Sequence, residues 1–126
     1  MRVVPPKEFK LRSDLFETDI CVYICSDVGR TIKRAAKLGH VLTDEQFTNI
    51  GGLFVTTGTK APMILLPQFS QSKLGFSIAM HEIYHAVDYL CRYNGIVFSE
   101  DTEEVRARMF SHLASQFFSH FVKGAK

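Results

Sequence analysis

His81, Glu82 and His85 stand in the order His-Glu-x-x-His within the pentapeptide HEIYH. On a helix, histidines four residues apart project from one face and can share one metal ion through their ring nitrogens. The glutamate between them lies about 100° around the same helix, within reach of a metal-bound water. The chemistry this spells is amide hydrolysis: Glu82 takes a proton from the water as it attacks a carbonyl, then returns it to the leaving amine. Zinc is the ion the pattern predicts. Manganese, cobalt and nickel also accept two imidazoles and a carboxylate.

A tetrahedral catalytic zinc takes three protein ligands and keeps its fourth position open. No third histidine follows in the HExxHxxGxxH spacing, which leaves a carboxylate from a later helix as the most economical choice. Glu100, Asp101, Glu103 and Glu104 crowd the start of the last predicted helix. Glu103 is in phase with Ala107, Phe110, Ala114 and Phe117, whereas Glu104 falls nearer the edge of that stripe. Acidic residues at this position also favour the positive end of the helix dipole.

The elements that must position these groups can be read outwards from the motif. Leu74 to about Arg92 is predicted as one helix, ended by Asn94 and Gly95. Phe76, Ala79, Ile83, Ala86, Val87 and Leu90 gather on one side of it, and His81, His85 and Asp88 on the other. The first side is expected to pack on a sheet, leaving the histidines toward a cleft roofed by the last helix, about Thr102 to Val122. Upstream, Ile20 to Cys25 reads as a strand, with Ser26 and Asp27 capping a basic helix that Gly39 ends. Thr43 and Gln46 have capping-box spacing, opening a short helix that stops at Gly51 and Gly52. The runs LFVTT and MILLP then read as two strands joined near Gly58 and Pro62; the prolines flanking MILLP suit a sheet edge but do not decide against a wholly interior strand. The polar residues 1–19, which include Pro5 and Pro6, are expected to form an extended lead-in, and residues 20–126 one α+β domain. The final helix is expected against the far side of the catalytic one.

HEIYHAVDYL followed by EVRARMF resembles the gluzincin metallopeptidases, in particular minimal single-domain forms, small phage-encoded zincins and the IrrE/ImmA-like peptidases of mobile elements. The likeness covers roughly residues 50–118. It implies a zincin-like domain in which a small sheet packs on the HExxH helix and a C-terminal helix supplies the third zinc ligand. Those families set the ligand glutamate three residues before an alanine, which falls here on Glu104 and Ala107, so the resemblance implies Glu104. Arg108 stands where many relatives carry Asp or Asn. The resemblance also implies a peptide or protein substrate, extended along the edge strand before the catalytic helix, with MILLP expected in that role.

Supporting roles fall to polar neighbours. Asp88 is a candidate to orient a ligand. Tyr84, Tyr89, Tyr93, Arg108 and His112 are candidates to stabilise an oxyanion, and His112, two turns beyond Glu104, is the preferred catalytic partner of Glu82. His40 and His120 are remote from the motif and read as structural or exposed. Cys21, Cys25 and Cys91 have no thiolate-zinc spacing and read as buried apolar residues in a reducing compartment.

Composition bounds the alternatives. The chain has 126 residues with a formal net charge of +2, and its 15 basic residues are dispersed along the sequence, which argues against nucleic acid as partner. Nowhere do 18 apolar residues run together, so no membrane span is expected and a cytoplasmic location is predicted. A rival to catalysis is a zincin-like binding or regulatory module. Phe110, Phe117, Phe118 and Phe121 exceed one apolar stripe and suggest a partner or dimer contact through the C-terminal helix.

Overall fold

The structure is a computed structural model that describes residues 6–58 and 60–121. It is a small α+β fold of four strands and three helices: β1 (Lys7–Ser13), β2 (Thr18–Ile24), α1 (Val28–Lys37), a 3-10 turn (Asp44–Phe47), β3 (Leu53–Val55), β4 (Met63–Leu66), α2 (Lys73–Tyr93) and α3 (Glu100–Ser119). The sheet is mixed, in the order β1-β2-β4-β3. β1 runs antiparallel to β2, β2 parallel to β4, and β3 antiparallel to β4.

The helix boundaries follow from local chemistry. The Asp27 carboxylate accepts the Arg30 N–H at 3.1 Å to open α1, and Gly39, at φ +87°, turns the chain out of it. Ser72 Oγ accepts the Gly75 N–H at 3.1 Å to open α2, and Asn94 and left-handed Gly95 close it. The Thr43 N–H donates to Gln46 Oε1 at 2.8 Å in the expected capping box, although the turn it starts is only four residues long. The expected end of α3 at Val122 lies outside the described residues.

Three expectations are corrected. Residues 7–13 of the expected lead-in form a full edge strand, with Phe9, Leu11 and Ser13 buried and the intervening charges outside. Only two of its seven residues are large apolar ones, too few to stand out from a polar leader. MILL is interior, flanked by β2 and β3, with all four side chains at most 1% exposed. Pro62 and Pro67 flank the ladder without entering it, so they do not prevent pairing on both sides; Pro62 even accepts the Cys21 N–H at 2.9 Å. The strand at the edge near α2 is β3. Finally, α3 lies beside α2 on the same face of the sheet, over β1, where Phe9 and Phe117 meet with ring centroids 5.6 Å apart.

The sheet is therefore covered on both faces. One core joins Leu11, Ile20, Val22, Ile64 and Leu66 to the inner sides of α2 and α3. The other joins Cys21, Cys25, Met63 and Leu65 to Ala35 of α1, Leu42 and Phe47. All three cysteines are buried, and burial pushes the Cys21 thiol up to about 11, as suits apolar filling rather than reactivity. The phenylalanines of α3 are used in packing: Phe117 is fully buried, and Phe110 and Phe118 are partly buried, with Phe118 5.1 Å from Phe76. No helix among the described residues is long and apolar enough to cross a membrane.

Candidate metal centre

α2 divides its circumference among four neighbours. Ala79, Ile83, Ala86 and Leu90 face the sheet and are buried, as their spacing predicts. Ile78, Glu82 and Tyr89 face the β3 edge, and Tyr84 and Val87 face α3. His81 and His85 stand between those two walls, on the exposed side. They open beside β3 rather than beneath a roof formed by α3.

The two imidazoles converge. Nε2 of His85 lies 3.1 Å from Nε2 of His81, with the rings 80° apart. Two nitrogens bound to one tetrahedral zinc at about 2.05 Å would be about 3.3 Å apart, so this spacing fits two adjacent ligands of a single ion. Glu82 is only 6% exposed, while its histidine neighbours reach solvent. Burial pushes its carboxyl above the ordinary 4.5, and the nearby His81 and His85 partly offset the rise.

Two clefts flank the pair along the β3 edge. One of about 410 Å³ is lined by Ile50, Gly51, Gly52, Ser77, Ile78, His81 and Glu82. The other, about 460 Å³, is lined by Phe54, Thr56, His85, Asp88, Tyr89, Arg92 and Tyr93. Tyr89 stacks on Tyr93 at 5.6 Å and meets Phe54 edge-on at 5.8 Å. A third, larger cleft of about 520 Å³ separates α2 from α3, walled by Tyr84, Val87, Phe98 and Phe110, with Glu103, Arg106 and Asp88 among its polar residues.

The remaining predicted residues are placed unevenly. Glu103 lines the α2–α3 cleft, opposite Tyr84 and Asp88. Glu104 turns outward, is 74% exposed, and binds Arg108 at 2.9 Å. Among the described residues, no three of His, Cys, Asp and Glu are gathered as a metal-holding group. Asp88 is held by Arg92, whose Nε lies 2.9 and 3.0 Å from its two oxygens. His112 is not brought to the histidine pair: it lies beside Asp14, at 3.8 Å, in a cleft with Ser13, Leu15 and Met109. The reason is helical phase, since His112 leaves α3 toward the β1–β2 turn and not toward α2. His40 is buried with Nε2 3.0 Å from the Ala61 carbonyl, and His120 stacks on Phe9 at 3.9 Å, both away from the site as expected.

Sequence reasoning missed Gly52, Phe54 and Arg92, which the fold sets against Glu82, Tyr89 and Asp88. Only the Asp88–Arg92 spacing of four residues on one helix carried a signal for any of them. No family model matches the chain, and no curated protein or solved structure matches it.

Proposed function

We propose that this protein is a zinc-dependent peptidase of the zincin type, with His81 and His85 as metal ligands and Glu82 as general base. The observation that carries the reading is the convergence of the two Nε2 atoms, 3.1 Å apart, next to a buried carboxylate at a sheet edge. For the third donor the first turn of α3 offers Glu103, which lines the α2–α3 cleft, and Glu104, which the sequence resemblance implies; among the described residues neither is gathered with the histidine pair.

When bound, zinc would polarise the scissile carbonyl and make water a better nucleophile near neutral pH. The chain's own contribution is positional and protonic. The raised carboxyl of Glu82 takes the proton of the attacking water and passes it to the departing amine. β3 pairs with β4 on one side only, so its outer edge offers main-chain groups to an extended peptide passing the histidines. β1, the other edge, is capped at Arg12, where the Gln116 amide bonds both its N–H and its C=O, at 2.7 and 2.8 Å. Tyr84 and Tyr89 flank the pair more closely in the fold than His112 does, and replace it as candidates to steady an oxyanion.

The test is a peptide-library digest read by mass spectrometry, with zinc-loaded wild type, chelator-treated wild type and Glu82→Gln. Zinc-dependent cleavage, reduced on the order of 10²–10⁴-fold in Glu82→Gln, supports the reading. Zinc binding without cleavage of any peptide or protein offered would favour the binding-module reading, for which the exposed Tyr84 and Phe98 of the α2–α3 cleft are an available surface.

A further inference from the structure

Gly51 and Gly52 read in the sequence as helix terminators, but the structure gives them a different task. Neither is among the left-handed glycines of the described residues, which are Gly39 and Gly95. Their backbone conformation therefore does not require glycine. What requires it is space. A Cβ on Gly52 would lie 2.8 Å from Cγ of Glu82 and 3.1 Å from its Oε2, with Cγ2 of Ile78 at 3.1 Å. The three atoms nearest a Cβ on Gly51 all belong to Ile78, the first being Cδ1 at 2.5 Å.

The nearest atoms facing Gly52 are thus those of a flexible side chain, not backbone. An added methyl group there would press first on the Glu82 side chain and next on Cγ2 of Ile78, so the largest displacement falls on Glu82 rather than on backbone. The same contact accounts for the burial of a carboxylate whose neighbours His81 and Tyr84 are exposed: the chain entering β3 lies directly on it.

We infer that Gly52 is the positioning residue for Glu82, its missing side chain being the space that lets the carboxylate lie buried beside the histidine pair. Placing Glu82 this way deepens the peptidase reading and, in its catalytic consequence, rests on it. The geometric part can be tested without any substrate.

The experiment is a double-mutant cycle in thermal stability, run on the metal-free full chain. Gly52→Ala is introduced into wild type and into Glu82→Ala. At an ordinary φ, replacing glycine by alanine stabilises through the unfolded state. With Glu82 trimmed, only the Ile78 contact opposes that gain, so Gly52→Ala should lower Tm clearly less than it does in wild type, or raise it. The Ile78 contact is present in both backgrounds and cancels in the comparison. Equal Tm changes in the two backgrounds would overturn the inference. In zinc-loaded protein, Gly52→Ala should keep its metal and KM within about twofold while turnover falls tenfold or more. Full turnover in Gly52→Ala would also overturn it. Coupling in Tm with no hydrolysis by wild type would uphold the placement of Glu82 while removing the peptidase reading.

Discussion

The side-chain amide of Gln116 makes with Arg12 both hydrogen bonds that a neighbouring strand would make, accepting from its N–H at 2.7 Å and donating to its C=O at 2.8 Å. One helical residue thereby occupies the β1 edge at Arg12, while β3, the other edge of the sheet, lies beside the histidines. An unpaired edge is a template for adding a strand, so blocking β1 at Arg12 favours pairing at β3, beside the site. Gln116→Ala should cost about 1–2 kcal/mol, two modest net hydrogen bonds. Urea unfolding measures the loss, and sedimentation should show more self-association as the β1 edge is freed. An unchanged midpoint would mean that the amide contributes nothing to the edge.

Glu82 makes the stability of the metal-free protein depend on pH in a defined direction. Its carboxyl is raised by burial above the ordinary 4.5, so the folded chain keeps a proton over a range in which the unfolded chain has lost it. By linkage, this group's contribution to stability falls as pH rises from about 4.5 through the raised value. Glu82→Gln cannot ionise. Its unfolding midpoint relative to wild type should therefore be higher at pH 7 than at pH 4. A difference independent of pH would show that the buried group does not titrate in this window.

The two glutamates of the α3 first turn should separate cleanly. Glu104 lies in a surface pair with Arg108, and such pairs contribute little. Glu103 shares its cleft with Tyr84 and Asp88. Zinc titration calorimetry should show Glu103→Gln weakening binding by about tenfold or more and Glu104→Gln changing it less than about threefold. The opposite order would return the ligand to Glu104, as the sequence resemblance implies.

His112 should be dispensable for the chemistry. It lies beside Asp14 at the β1–β2 turn, in a cleft that contains neither histidine of the motif. His112→Ala is expected to retain zinc and turnover within about twofold. A loss comparable to that of Glu82→Gln would place His112 back at the reaction.

What could be read in the sequence was what repeats with the helix period or sits at a cap. The buried and exposed sides of α2, the Asp27 and Gly39 boundaries of α1 and the hairpin-like pair LFV and MILL all follow from local patterns. What could not be read depends on which elements become neighbours. The order of the strands sets MILL inside and LFV at the edge, although both are short apolar runs. β1 carries too few apolar residues to distinguish a strand from a leader. The duty of Gly52 exists only once the start of β3 lies against Glu82, thirty positions later in the chain. His112 and Glu103 differ in which neighbour their side of α3 meets, a matter of packing that the periodicity of one helix does not contain.

Metal content of the purified protein, measured by elemental analysis for wild type and His81→Ala, bears most directly on the central claim. The convergence of His81 and His85 predicts about one zinc per wild-type chain, lost in His81→Ala, with the fold intact by circular dichroism. Wild-type protein that takes up no metal even after zinc is supplied, or His81→Ala that binds it as tightly, would contradict the account.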